Sequence, residues 1–146
     1  DGQDRKASEK LVKEYRIESK VHFLGALSYN EVNDLYDSAD IFVFTSLRDT
    51  SGNVVLEAMS HKLPVIAINH HGVGEIVTDE TGILIEPSSY ASVKFGFVKA
   101  IEQYAQKPYL MKKHGMAGRK RLERYYSWEN NARVLQGIYE KIVAEE

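Results

Sequence analysis

The sequence predicts an α/β fold: a doubly wound parallel sheet with helices on its faces. Three observations predict it. The runs IFVFT (41–45), VIAI (65–68) and GILI (82–85) are apolar at successive positions, as strands covered on both sides must be. Segments with helical spacing of apolar residues alternate with them through the first half of the chain. The 146 residues are 43% hydrophobic and 27% charged, which suits one globular domain with a real core and argues against disorder.

The elements follow in order. Ala7, Leu11, Val12 and Tyr15 give a first helical stripe. VHFL (21–24) reads as a short strand. Ser28 and Glu31 form a capping box, opening a helix with Val32, Leu35, Tyr36 and Ala39 on one face. After the strand at 41–45, a helix is expected from Asn53 to about His61, and Pro64 ends its exit loop. Gly72 and Gly74 are expected to break the chain before a short turn at Glu75, Ile76 and Val77. GILI is closed by Pro87. Helical segments over 89–106, 108–124 and 128–145 complete the chain, the last capped by Ser127, with Trp128, Ala132, Leu135, Tyr139 and Ile142 on one stripe expected in the core.

Composition excludes several functions. A net charge near −2 gives no basic field for nucleic acid. The run Arg119-Lys120-Arg121, continued by Arg124, reads as a solvated helix face rather than a phosphate patch. With no cysteine there is no disulfide or thiol chemistry, which fits a reducing, cytoplasmic compartment. No run approaches the length of a membrane span, so membrane association is not visible here; in a full-length protein the membrane's cytoplasmic face would be compatible. A hydrolase elbow and a Walker loop are both absent.

In doubly wound sheets ligands sit at the carboxyl ends of the strands, which selects the loops 46–53 and 69–75. Ser51-Gly52-Asn53 leads straight into a helix. Glycine there allows close backbone approach, and the free N–H groups with the positive end of the helix dipole suit a phosphate. Helical Cα–Cβ bonds lean toward the N-terminus, so Glu57 points back to that end, where its carboxylate can accept hydrogen bonds from a vicinal diol such as a ribose. Asp49, eight residues earlier, reaches hydroxyls on the far side of the same phosphate. The alternative is local: Glu57 pairs with His61 at i+4 and Asp49 helps cap the helix. Ser46 and Thr50 are phosphate contacts or caps. His70 and His71 are adjacent in a loop with no cysteine or second carboxylate at ligand spacing, which argues against a metal and for a structural or substrate-contacting role. His22 and His114 read as structural or solvated.

The residues of this loop carry a resemblance. DTSGNVVLEAM resembles the E-x7-E signature of the group 1 glycosyltransferases, retaining enzymes of the GT-B fold, in which a Rossmann-like second domain binds a nucleotide-diphosphate sugar and the first binds the acceptor. VHFLGALSYNEVNDLYDSADIFVFTS, LPVIAINHHGVGEIV, TGILIEPSS and YSWENNARVLQGIYEKI resemble the family's neighbouring segments, so the likeness covers nearly the whole chain. It implies that residues 1–146 form a single donor-binding, C-terminal domain, truncated on its N-terminal side. Glu57 then holds the donor's ribose and Asp49 contacts the donor sugar. Thr50, Ser51, Gly52, Asn53 and Val54, with His71, Gly72 and Glu75 from the second loop, surround the diphosphate. No cofactor or metal is implied beyond the nucleotide sugar itself, and the parent would serve polysaccharide or glycoconjugate synthesis.

The sequence also departs from the family's pattern. Asp49 is one methylene shorter than the usual glutamate, Lys62 stands where a glycine is usual, His71 replaces the first glycine of a pair, and Gly74 replaces a proline. A first strand bearing an Arg and a Lys for the leaving diphosphate, and the acceptor-binding domain, are expected ahead of this segment, so activity is not expected of the segment alone. The rival readings are a nucleotide-sugar epimerase of the same fold and a non-catalytic α/β interaction domain.

Overall fold

A computed structural model describes residues 2–144; the expectations that touch residues 1, 145 and 146, including the predicted helical end at Glu145, lie outside the described residues. Two compact units divide at Leu35 and Tyr36.

The first unit holds α1 (Arg5–Glu14) and the start of α2 (Tyr29–Ser38). The capping box is formed as expected: Ser28 N–H donates to Glu31 Oε2 at 2.8 Å, and Glu31 N–H donates to Ser28 Oγ at 3.4 Å. Ser28 Oγ donates to the same Glu31 Oε2 at 2.6 Å, and that bond, followed by the one from Ser28 N–H, holds the Glu31 carboxyl below its ordinary pKa. Residues 21–24 do not form the expected strand. A strand needs a ladder partner, and none pairs with them among the described residues; instead the Arg5 guanidinium lies over the Phe23 ring, 5.6 Å from its centroid.

The second unit is built on a sheet of β1 (Phe42–Phe44), β2 (Val65–Ile68) and β3 (Gly82–Ile85), all parallel and in the order β1-β2-β3. Phe42 pairs with Val65, which in turn pairs with Gly82. β2 is buried at every position, as its unbroken apolar run requires. Its residues alternate between two cores. Val65 and Ala67 meet Val55 and Met59 of α3 (Asn53–Ser60) and Val73 and Ile76 of α4 (His71–Ile76). Ile66 meets Ala100 and Tyr104 of α5 (Tyr90–Gln106). Two helical layers therefore sandwich the sheet, the arrangement the alternating sequence predicts.

β1 corrects one expectation. Its apolar run predicts cover on both faces, yet Val43 is 42% exposed, because among the described residues β1 is the edge strand, paired on one side only. α4 corrects a second: the chain does not break at Gly72 and Gly74 but runs through both as helix. These glycines serve close approach instead. A Cβ at Gly72 would stand 2.6 Å from Thr50 O, and one at Gly74 would strike the Asn69 side chain.

α6 (Pro108–Tyr125) packs on α3 at Gly118 and on the loop that leaves α3 at Gly115; a Cβ at Gly118 would sit 3.3 Å from Met59 Cγ, and one at Gly115 would strike Lys62 O. Lys62 is left-handed, at φ 62°, so lysine bears roughly 1–2 kcal/mol that glycine would not. His114 is buried in α6, its Nδ1 2.8 Å from the Tyr104 hydroxyl, which makes its role structural. α7 (Trp128–Ala144) is capped by Ser127 as expected, Asn130 N–H donating to Ser127 Oγ at 3.2 Å. Its stripe is not in the core: Trp128 is 86% exposed and α7 buries no residue, since no described element covers that face. No helix of the described residues is long and apolar enough to cross a membrane.

Candidate active site at the heads of two helices

The two loops selected from the sequence meet in the structure. Gly52 is the N-cap of α3 and lies at φ 66°, a left-handed conformation natural to glycine. It is buried, and a Cβ added there would stand 2.7 Å from Ile76 Cδ1 and 3.4 Å from Val73 Cγ2. The opening of α4 answers at Gly72, packed on Thr50. A side chain at Gly72 would meet the Thr50 carbonyl and force the two loops apart, while at Gly52 it is the left-handed φ that disfavours one.

Asp49 shapes the first loop. Its Oδ1 accepts from Gly52 N–H at 2.6 Å and Ser51 N–H at 3.0 Å, with Ser51 Oγ at 3.4 Å. This is an Asx-type turn that folds the chain into the left-handed glycine. It satisfies loop amides rather than those of the helix itself: α3 has no side-chain cap, and its first backbone bonds run from Val55 and Leu56 to Gly52 O. The amides of Asn53 and Val54 precede those bonds and have no acceptor within the helix. Ser46 Oγ accepts from Arg48 N–H at 3.3 Å, a local turn bond.

Glu57 lies one turn into α3 and is solvent-exposed. Its Oε2 accepts from the Tyr36 hydroxyl at 3.3 Å. His61, the neighbour on the same face, has its Nδ1 2.6 Å from Asp37 Oδ1. In the second loop His71 adopts φ 45°, and its ring centroid is 3.8 Å from that of His70. Among the described residues no three His, Cys, Asp or Glu side chains are grouped as metal ligands would be. Glu75 is exposed, and its carbonyl is fixed: Arg121 Nη2 donates to Glu75 O and Arg121 Nε to Ile76 O, both at 2.8 Å, with the Tyr126 hydroxyl 3.4 Å from Glu75 O.

Arg121 corrects the reading of the basic run as a merely solvated face. Its neighbour Arg119 donates from Nη1 to Ser60 O at 2.7 Å, at the end of α3. Both cations sit at helix C-termini, where they satisfy orphan carbonyls and oppose the negative end of the dipole. Sequence reasoning missed these roles and also that of Tyr36. Helical spacing places Tyr36 on an apolar stripe, and nothing local signals a carboxylate 21 residues away.

A parallel sheet with paired helical layers, with two loops closing at the carboxyl ends of adjacent strands, is a doubly wound α/β arrangement, and it matches the C-terminal domains of GT-B glycosyltransferases. The family model for glycosyl transferases group 1 matches residues 1–121, and the chain belongs to that family. It is 33% identical over 139 residues to the mouse alpha-1,3/1,6-mannosyltransferase ALG2, covering 94% of this chain and 32% of that protein. The structure of a sucrose-phosphate synthase from Thermosynechococcus elongatus superposes with a TM-score of 0.78 at 28% identity, over 99% of this chain and 36% of the other. That of Anabaena HepE, in complex with UDP and glucose, superposes with a TM-score of 0.72 at 21% identity, over 95% of this chain and 36% of the other, and shows the shared fold. The chain spans about a third of the length of the curated relatives it matches.

Proposed function

We propose that this chain binds a nucleoside-diphosphate sugar and serves as the donor-binding half of a retaining glycosyltransferase that moves a hexose-like sugar to an acceptor hydroxyl. The observation that carries the reading is the close packing of Gly52 on α4 and of Gly72 on Thr50. It sets the head of α3 beside the second loop. The diphosphate lies along Thr50, Ser51, Gly52, Asn53 and Val54, opposite His71, Gly72 and Glu75, and draws on the N–H groups and the positive end of the dipole. Glu57 accepts the ribose hydroxyls. Asp49, whose Oδ1 holds the turn, contacts the donor sugar through Oδ2. The HepE complex with UDP and glucose, on the same fold, supports this choice of ligand.

In the reaction the bond between the anomeric carbon and the diphosphate oxygen breaks, and the electron pair leaves with the phosphate. The acceptor oxygen bonds the same face of the sugar, and its proton passes to the departing diphosphate. The chain's part is electrostatic: amides and dipole stabilise the charge that grows on the leaving diphosphate as an oxocarbenium-like sugar forms.

Titration of the isotopically labelled, folded chain with UDP, GDP and ADP, followed by NMR, tests the reading. Amide shifts should cluster at Gly52–Glu57 and Gly72–Glu75 for one of the three. Glu57→Ala should weaken that nucleotide by about 1.5–3 kcal/mol, ten- to more than a hundredfold. Binding by the folded native chain that is absent, or that shifts residues elsewhere, overturns it.

A further inference from the structure

Glu57 and His61 stand four residues apart on one face of α3, and the C-terminal turn of α2 meets both. Tyr36 reaches Glu57 through its hydroxyl, while the next residue, Asp37, holds His61. The Tyr36 ring is itself fixed. The His61 ring lies 5.3 Å away at 32°, and Phe42 meets it edge-on at 5.8 Å. Tyr36 is only 9% exposed, although the carboxylate it touches is at the surface. A rigid, largely buried donor thus faces a long, flexible acceptor.

A glutamate side chain has three rotatable bonds, and ordering them opposes ligand binding. A fixed hydroxyl on one carboxylate oxygen removes part of that freedom before the ligand arrives and leaves the other oxygen for it. We infer that Tyr36 is a positioning residue for Glu57: its hydroxyl holds Oε2 and presents Oε1 to the ribose hydroxyls of a nucleoside diphosphate, with the Asp37–His61 pair bracing the Tyr36 ring from behind. Burial, and then the charge of Glu57, push the Tyr36 pKa up to about 12, so the hydroxyl remains a donor at any neutral or mildly basic pH. This inference rests on the donor-binding reading above.

The test is a double-mutant cycle on the folded chain, using whichever of UDP, GDP and ADP the native chain binds most tightly. Tyr36→Phe keeps the ring and its packing and removes only the hydroxyl. It should weaken binding about three- to tenfold, the range of one hydrogen bond, with the unfolding midpoint close to native. Glu57→Ala should weaken binding more, and adding Tyr36→Phe to it should cost nothing further, because there is no carboxylate left to position. Native-like binding by Tyr36→Phe beside a weakened Glu57→Ala overturns the positioning role alone. So does a Tyr36→Phe effect that persists undiminished when combined with Glu57→Ala, since that effect would come from packing. Native-like binding by Glu57→Ala, or no nucleotide binding by the native chain, overturns the donor-site reading and this inference with it.

Discussion

Of the two amphipathic helices α3 and α7, the shorter buries Val55, Ala58 and Met59, and the longer buries nothing. Their sequences do not foretell this. α7 has the clearer stripe, with Leu135, Ile138, Tyr139 and Ile142 in helical register, and all four are at least 47% exposed. Periodicity specifies that a helix has an apolar face; it does not specify what lies opposite. α3 has β2 beneath it and α6 beside it, brought within reach by Gly115 and Gly118. The helix that carries the candidate site is therefore the one anchored on two sides.

The comparison breaks most sharply at Met59. Met59→Ala removes a fully buried side chain between α3, β2 and Gly118, and should lower unfolding stability by about 2–5 kcal/mol in urea titrations. A loss below about 1 kcal/mol would mean that α3 is no better anchored than α7. A smaller effect sharpens the buried side of the comparison. Burial, reinforced by Lys113 and opposed by Asp79, lowers the pKa of His114. The unfolded chain then takes up a proton near pH 6.5 that the folded chain accepts only at lower pH. Stability should be level above about pH 6.5, fall as pH drops toward the folded value, and level off below it. Urea midpoints between pH 8 and pH 5 should show a shallower fall for His114→Asn than for the native chain. Least of all should be Leu135→Ala in α7, half-exposed and within about 0.5 kcal/mol of native in the same titration.

The layered fold was legible because β2 and β3 are apolar at consecutive positions and because Ser28, Glu31 and Ser127 mark helix starts by local chemistry. Asp49, Gly52 and Glu57 were legible as a group, since a glycine before a helix and a carboxylate one turn inside it are close in sequence. What escaped were relations across long stretches of chain. The strand expected at 21–24 depended on a partner that sequence alone does not supply. Gly72 and Gly74 read as breakers because propensity is local, whereas their use is to admit Thr50 and Asn69. Arg121 read as a surface cation, because the carbonyls it holds lie 45 and 46 residues away.

The two arginines of α6 have a wider consequence. Arg119 grips the last turn of α3, and Arg121, two residues on, grips the last turn of α4. One rigid helix thus clasps the tails of both helices whose heads form the candidate site. Unravelling of either helix tail breaks its bond to α6. The three helices should behave as one cooperative opening unit, so that amides at Val55–Met59 and at Val73–Ile76 exchange with solvent hydrogen at a common rate, set by α6 rather than by the loops.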